Sequence, residues 1–133
     1  MLKSESLKKN KDFQNVYQKG TSKANRDLVM YVLRNERKEN RLGISVSKKN
    51  GNSVVRHRIT RLIRESYRLN EMKVTDGLDI VVIARPSVRG KSFHEVEKSL
   101  LDLLKKHRLL TTRPEGAYLP QEGDAPSLEK PKM

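Results

Sequence analysis

Apolar side chains recur with a helical or a strand period in six stretches of this chain, and the stretches follow one another with short polar breaks. Phe13, Val16 and Tyr17 take the i, i+3, i+4 positions of one helical face within residues 8–19, and Gly20 offers a stop. Residues 27–33 and 41–47 read as extended around a charged turn at 34–40, which predicts an antiparallel pair. In the second of them Leu42, Ile44 and Val46 alternate with Gly43, Ser45 and Ser47, so one face is apolar and the other is small and polar, open to a ligand. Asn50-Gly51 then makes a turn, and Asn52 or Ser53 supplies the N-cap of a helix over 54–69. Val55, Ile59, Leu62, Ser66 and Leu69 share one arc of that helix, with Ile63 at its edge. Residues 78–84, LDIVVIA, form a nearly continuous β-branched run, the pattern of a central strand buried on both faces, and Pro86 ends it. Ser92 and Glu95 make a capping box for a last helix to about residue 110, with Val96, Leu100, Leu103 and Leu104 on its inner face.

The order α-β-β-α-β-α predicts an α+β fold, a small and mostly antiparallel sheet packed with helices mainly on one side. From Thr111 onward the chain holds four of its five prolines and few large apolar residues. The reading is therefore one domain over 1–110 and a disordered tail over 111–133.

Charge changes the picture more than hydropathy does. Hydrophobic residues make up 35% of the 133, enough for one modest core, but the net charge is +13. The last 23 residues carry three basic and four acidic groups, which leaves +14 on residues 1–110. Such a field draws polyanions and makes binding salt-dependent, whether the partner is RNA, DNA or an anionic membrane. No apolar run reaches the roughly 18 residues that span a bilayer, and the Lys-rich start lacks the apolar segment of a secretory signal, so no membrane role and a cytoplasmic location are expected. Without cysteine there are no disulfides or thiolate sites, and three scattered histidines make no zinc cluster.

The charge is concentrated on the helix over 54–69. Arg58, Arg61, Arg64 and Arg68 trace a stripe that contains His57, Arg56 stands on the opposite flank of the apolar arc, and Glu65 is the only acid among them. A solvated helix face ordinarily mixes Lys with Glu at spacings of three or four. This face does not, and planar guanidinium forks match phosphate oxygens. Phe13 and Tyr17 carry two readings on spacing alone: a helix docking on its own sheet, or a surface where unpaired bases stack while Lys8, Lys9, Lys11 and Lys19 hold the backbone. Tyr31 is equally a cross-strand aromatic or part of such a surface.

Gly51-Asn52-Ser53-Val54, the triplet Arg56-His57-Arg58 and the continuation Arg61, Arg64, Glu65, Arg68 resemble the signature of the protein subunit of bacterial ribonuclease P, a Gly-Asn turn followed by an Arg-Asn-Arg helix. His57 replaces the central Asn, and Thr60 stands where a basic residue is common. The opening block LKKNKDFQNVYQKGTSKANR is similar as well. The resemblance implies an RNA-contact set of Lys48, Lys49, Arg56, His57, Arg58, Arg61, Arg64 and Arg68. It implies a leader cleft of Phe13, Val16, Tyr17 and Tyr31 that accepts the 5′ leader of precursor tRNA, and a left-handed βαβ crossover against the usual hand. Partners would be a catalytic RNA and precursor tRNA, with no protein partner required.

The expected activity is endonucleolytic removal of the leader, with the chemistry in the RNA. Two-metal hydrolysis needs clustered carboxylates. Asp27, Glu65, Asp76 and Asp79 fall on different elements, so no catalytic and no metal-ligating residue is assigned, and Mg2+ would be held mainly by RNA. Asp79 reads as a strand-end acid. A ribosomal or other structured-RNA-binding protein is the alternative, since a small basic α+β domain serves it equally. The missing carboxylate cluster disfavours a nuclease acting alone.

Overall fold

Strand β5, Leu78–Ala84, is apolar on both faces and takes the centre of the sheet. The computed structural model describes residues 4–111. Around β5 lie β1 (Glu5–Ser6), α1 (Asn10–Lys19), β2 (Thr21–Ala24), β3 (Leu28–Arg34), β4 (Arg41–Ser45), α2 (Ser53–Asn70) and α3 (Phe93–Lys106). The sheet order is β1-β4-β5-β3-β2. β1 runs parallel to β4 and β4 parallel to β5, whereas β3 is antiparallel to both β5 and β2, so the sheet is mixed.

The expected β3–β4 pair does not form. β5 inserts between them, aligning Leu42 with Ile80 on one side and Val32 with Ile80 on the other. A strand with two apolar faces and two free edges is best buried by a neighbour on each side, and α2 is long enough to carry the chain from β4 across to a parallel β5. Two further strands, β1 and β2, left no apolar signal, because every residue of ES and TSKA is exposed at the two edges of the sheet. Short polar edge strands resist pairing with other chains.

The main core lies on the α2–α3 side of the sheet. Leu28, Met30, Leu42, Ile80 and Val82 meet Ile59, Ile63 and Tyr67 of α2 and Val96, Leu100, Leu103 and Leu104 of α3. On the opposite face α1 covers a smaller cluster of Leu7, Val16 and Val81. Asn52 caps α2 by accepting from the Val55 amide at 3.0 Å, and the Ser92–Glu95 capping box opens α3 as the spacing predicts.

The buried face of α2 is rotated from the expected arc. Leu69 is 67% exposed, while Ile59, Ile63, Ser66, Tyr67 and Asn70 turn inward. Its inner positions include polar groups that an apolar count passes over. Ser66 Oγ donates to the Leu62 carbonyl at 2.7 Å, and Asn70 Nδ2 donates to Ser66 O and to Glu97 Oε2 of α3. α3 ends at Lys106, earlier than its pattern suggests. Arg108 enters the left-handed region at φ 61°, and the Arg108 and Leu109 amides donate back to Lys105 O and Leu104 O at 2.9 Å. The reversed chain bridges Leu110 to Val74, and the Thr111 amide donates to Lys73 O at 2.7 Å. Apart from Thr111, which is tied in this way, the expected tail lies outside the described residues.

Candidate nucleic-acid interface

Gly51 sets the start of α2: its φ of 136° belongs to glycine, and an added Cβ would come within 2.9 Å of Val55. The turn brings exposed Lys48 and Lys49 beside the first turn of the helix. From there α2 runs 18 residues, about 27 Å at 1.5 Å per residue. His57, Arg58, Arg61, Arg64 and Arg68 are all exposed along it. Among the described residues no carboxylate lies within 4 Å of any of these cations, although five ion pairs form elsewhere. Arg58 makes one long contact, Nη2 to the Lys91 carbonyl at 3.4 Å.

Arg56 differs from the others. It is half-buried, and its Nε is buried without a hydrogen-bond partner, so its guanidinium is held against the domain with part of its donor capacity unused. Thr60 turns its hydroxyl back to the Arg56 carbonyl at 2.9 Å.

The second group of residues meets on the α1 face of the sheet. Tyr17 stands edge-on to Tyr31 with ring centroids 5.0 Å apart, and Phe13 is 6.3 Å from Tyr17. All three are half-buried, flanking the small cluster rather than sealed within it. The rings dock on their own sheet, as the first reading has it, and stay partly exposed. Val16 is a correction: it is 0% exposed between α1 and β5, so it supports the aromatic surface from beneath and touches no bound strand.

The small face of β4 also has a use other than the expected one. Phe13 fills it, and a Cβ at Gly43 would sit 2.6 Å from Phe13 Cζ, so the ring packs where only glycine leaves room. Burial pushes the Tyr17 phenol above its ordinary value, with a smaller opposing pull from Ser45. The hydroxyl therefore stays protonated as a donor at neutral pH.

Beside this face Asp79 is buried in a polar knot. Arg41 donates from Nε at 2.9 Å and from Nη2 at 2.7 Å, and Asn35 Nδ2 donates at 2.8 Å. Burial alone would push the Asp79 carboxyl up, but these bonds outweigh it and hold the group below the usual carboxylate range. Asp27 is likewise buried, engaged by Ser87, Ser99 and Lys91. Both acids are structural. Glu65 and Asp76 are exposed, and among the described residues no three His, Asp or Glu side chains converge as a metal site.

One grouping had no signal in the sequence. Lys8, on the segment between β1 and α1, comes to the same groove as Arg64 and Arg68, nearly sixty residues away along the chain. The parallel pairing of β1 with β4 and the packing of α2 on the sheet bring them together.

The family model described as Ribonuclease P matches residues 1–108. The ribonuclease P protein component of Lachnoclostridium phytofermentans is 58% identical over 109 residues, which span 82% of this chain and 94% of that protein. That of Alkaliphilus metalliredigens is 50% identical over 111 residues, 84% of this chain and 100% of the relative. Among solved structures, the Staphylococcus aureus RNase P protein superposes with a TM-score of 0.76 at 42% identity, covering 82% of this chain and 100% of that one. The Thermotoga maritima RNase P protein gives 0.71 at 34% identity, over 77% of this chain and 96% of that one.

Proposed function

This chain belongs to the ribonuclease P protein family and is a protein component of that endoribonuclease; on this premise we propose that α2 holds the catalytic RNA while the α1 face receives the 5′ leader of precursor tRNA. The observation that carries the reading is the row of exposed α2 cations with no carboxylate partner among the described residues. Guanidinium groups left unpaired by the fold are free to replace condensed counterions on a phosphate backbone, and release of those ions favours the complex. Lys48, Lys49, Arg56, His57, Arg58, Arg61, Arg64 and Arg68 form this contact set. His57 brings a ring that both donates and accepts, where a side-chain amide is usual in the family.

The leader is a single strand, and a single strand is held best by stacking its bases while cations track its backbone. Phe13, Tyr17 and Tyr31 provide the half-open aromatic row for it, over a floor of Val16 and Gly43. By neutralising phosphates on two RNAs at once, the protein lowers the repulsion that opposes their approach. Magnesium is assigned mainly to RNA phosphates, which fits a chain whose described carboxylates are dispersed or engaged in structural bonds. The reading assigns the complex to the cytoplasm, where precursor tRNA would be its substrate. No helix among the described residues is long and apolar enough to cross a membrane.

Sequencing the RNA that copurifies with the chain tests the proposal. The expected result is one abundant structured RNA that cleaves precursor tRNA at high magnesium. A mixture of ribosomal fragments would contradict it.

A further inference from the structure

A groove of about 740 Å³ runs between the C-terminal half of α2 and the β1–β4 edge of the sheet. Its floor is apolar, with Leu42 and Ile44 of β4 beside Tyr67 of α2, and its lip carries Met72, which is 70% exposed. Lys8, Arg64 and Arg68 stand along the rim. Two acids also line it, and both are engaged: Glu71 accepts from the Ser4 amide at 3.1 Å, and Glu5 pairs with Arg37 at 3.1 Å. The three rim cations have no carboxylate within 4 Å among the described residues.

We propose that this groove is a separate RNA subsite, in which an unpaired nucleobase of the RNA partner lies against Met72 and the β4 floor while its flanking phosphates meet Arg64, Arg68 and Lys8. The inference rests on the reading of α2 as the RNA-binding helix, and it deepens that reading by giving two of the arginines a second task. Continuity favours RNA as the occupant, because Arg64 and Arg68 belong both to the exposed cationic row and to the groove rim. A base has the apolar face that the floor and a polarisable thioether accept, and the phosphates on either side of it have the charge that the rim lacks. A duplex does not fit this arrangement, since its bases are stacked and paired; the site selects a bulge or a loop nucleotide.

The test compares the wild-type chain, Met72→Ala and the Arg58→Ala/Arg61→Ala double variant. Each is bound to the RNA that copurifies with the chain, at several salt concentrations, with base-specific chemical probing of each complex. Because Met72 is largely exposed, its truncation should leave the thermal melt unchanged. Expected for Met72→Ala is an affinity lower by about two- to tenfold, an unchanged salt slope, and renewed reactivity of one unpaired base that the wild type protects. Unchanged affinity, or an unchanged set of protected bases, would overturn the subsite. If the double variant also binds like the wild type, the role of α2 itself fails, which is a different result.

Discussion

At the residue scale, Arg58 and Arg61 should act almost wholly through phosphate. Their joint replacement by Ala should weaken RNA binding and lower the slope of log affinity against log salt by about two, since each lost contact retains roughly one counterion. The helix should persist because Ala favours it. Salt titrations with a circular dichroism control check this, and an unaltered slope would remove both arginines from the interface. Arg41 and Asp79 should act on stability instead. Arg41→Ala leaves a buried carboxylate with Asn35 as its main partner and should cost about 3 kcal/mol, the low end of the usual range because the Arg41 side chain is 20% exposed. The pH dependence follows from the depressed Asp79 value. Its stabilisation is fully present above the unfolded carboxylate value of about 3.9 and is lost as pH falls through the lower folded value. Asp79→Asn should therefore flatten the acid limb of a stability–pH profile, and an acid limb identical to the wild type would assign it to other groups. The arginine stripe was legible because charge periodicity is a property of one helix. The Arg41–Asp79 bond was not, since it joins residues 38 apart whose alignment depends on β4 lying beside β5.

At the element scale, α1 is the most informative test. Truncating Phe13 or Tyr17 to Ala should cost about 1 to 3 kcal/mol in the leader-dependent part of precursor binding if the rings stack on bases. Affinity for the catalytic RNA should change little. Half-burial predicts a modest loss of thermal stability beside this effect, smaller than the about 3 to 5 kcal/mol of a fully buried Phe. Holoenzyme affinities for precursors with long and short leaders, run beside melts of the free protein, separate the two. Equal losses for both leader lengths with a large drop in Tm would return the pair to the core. The sequence pattern located α1, α2, β5 and the cap of α3 closely, because each has a strong period or a local capping bond. It missed β1 and β2, whose side chains are exposed, and it misjudged part of the inward face of α2, where Tyr67 and Asn70 take core positions and Leu69 turns outward.

At the scale of the whole molecule, a mixed sheet separates the two proposed RNA-facing surfaces. The cations of α2 lie on the side where α2 and α3 enclose the main core, and the aromatic row lies on the side covered by α1. The charge reading already favoured a polyanion, but the division of faces depends on β5 entering between β3 and β4, a long-range pairing that no local pattern encodes. Every described element is complete by Thr111, so a chain ended there should melt cooperatively and bind RNA nearly as the full chain does. Loss of cooperativity or of affinity would show that residues 112–133 contribute after all. The central claim is that this chain binds and positions RNA while the RNA performs the cleavage. The most direct measurement is cleavage of a precursor tRNA by the purified RNA-free chain, by the copurifying RNA, and by the two together, all at the same low magnesium concentration. The account predicts rapid removal of the 5′ leader only by the combination, and cleavage by the RNA-free chain alone would contradict it.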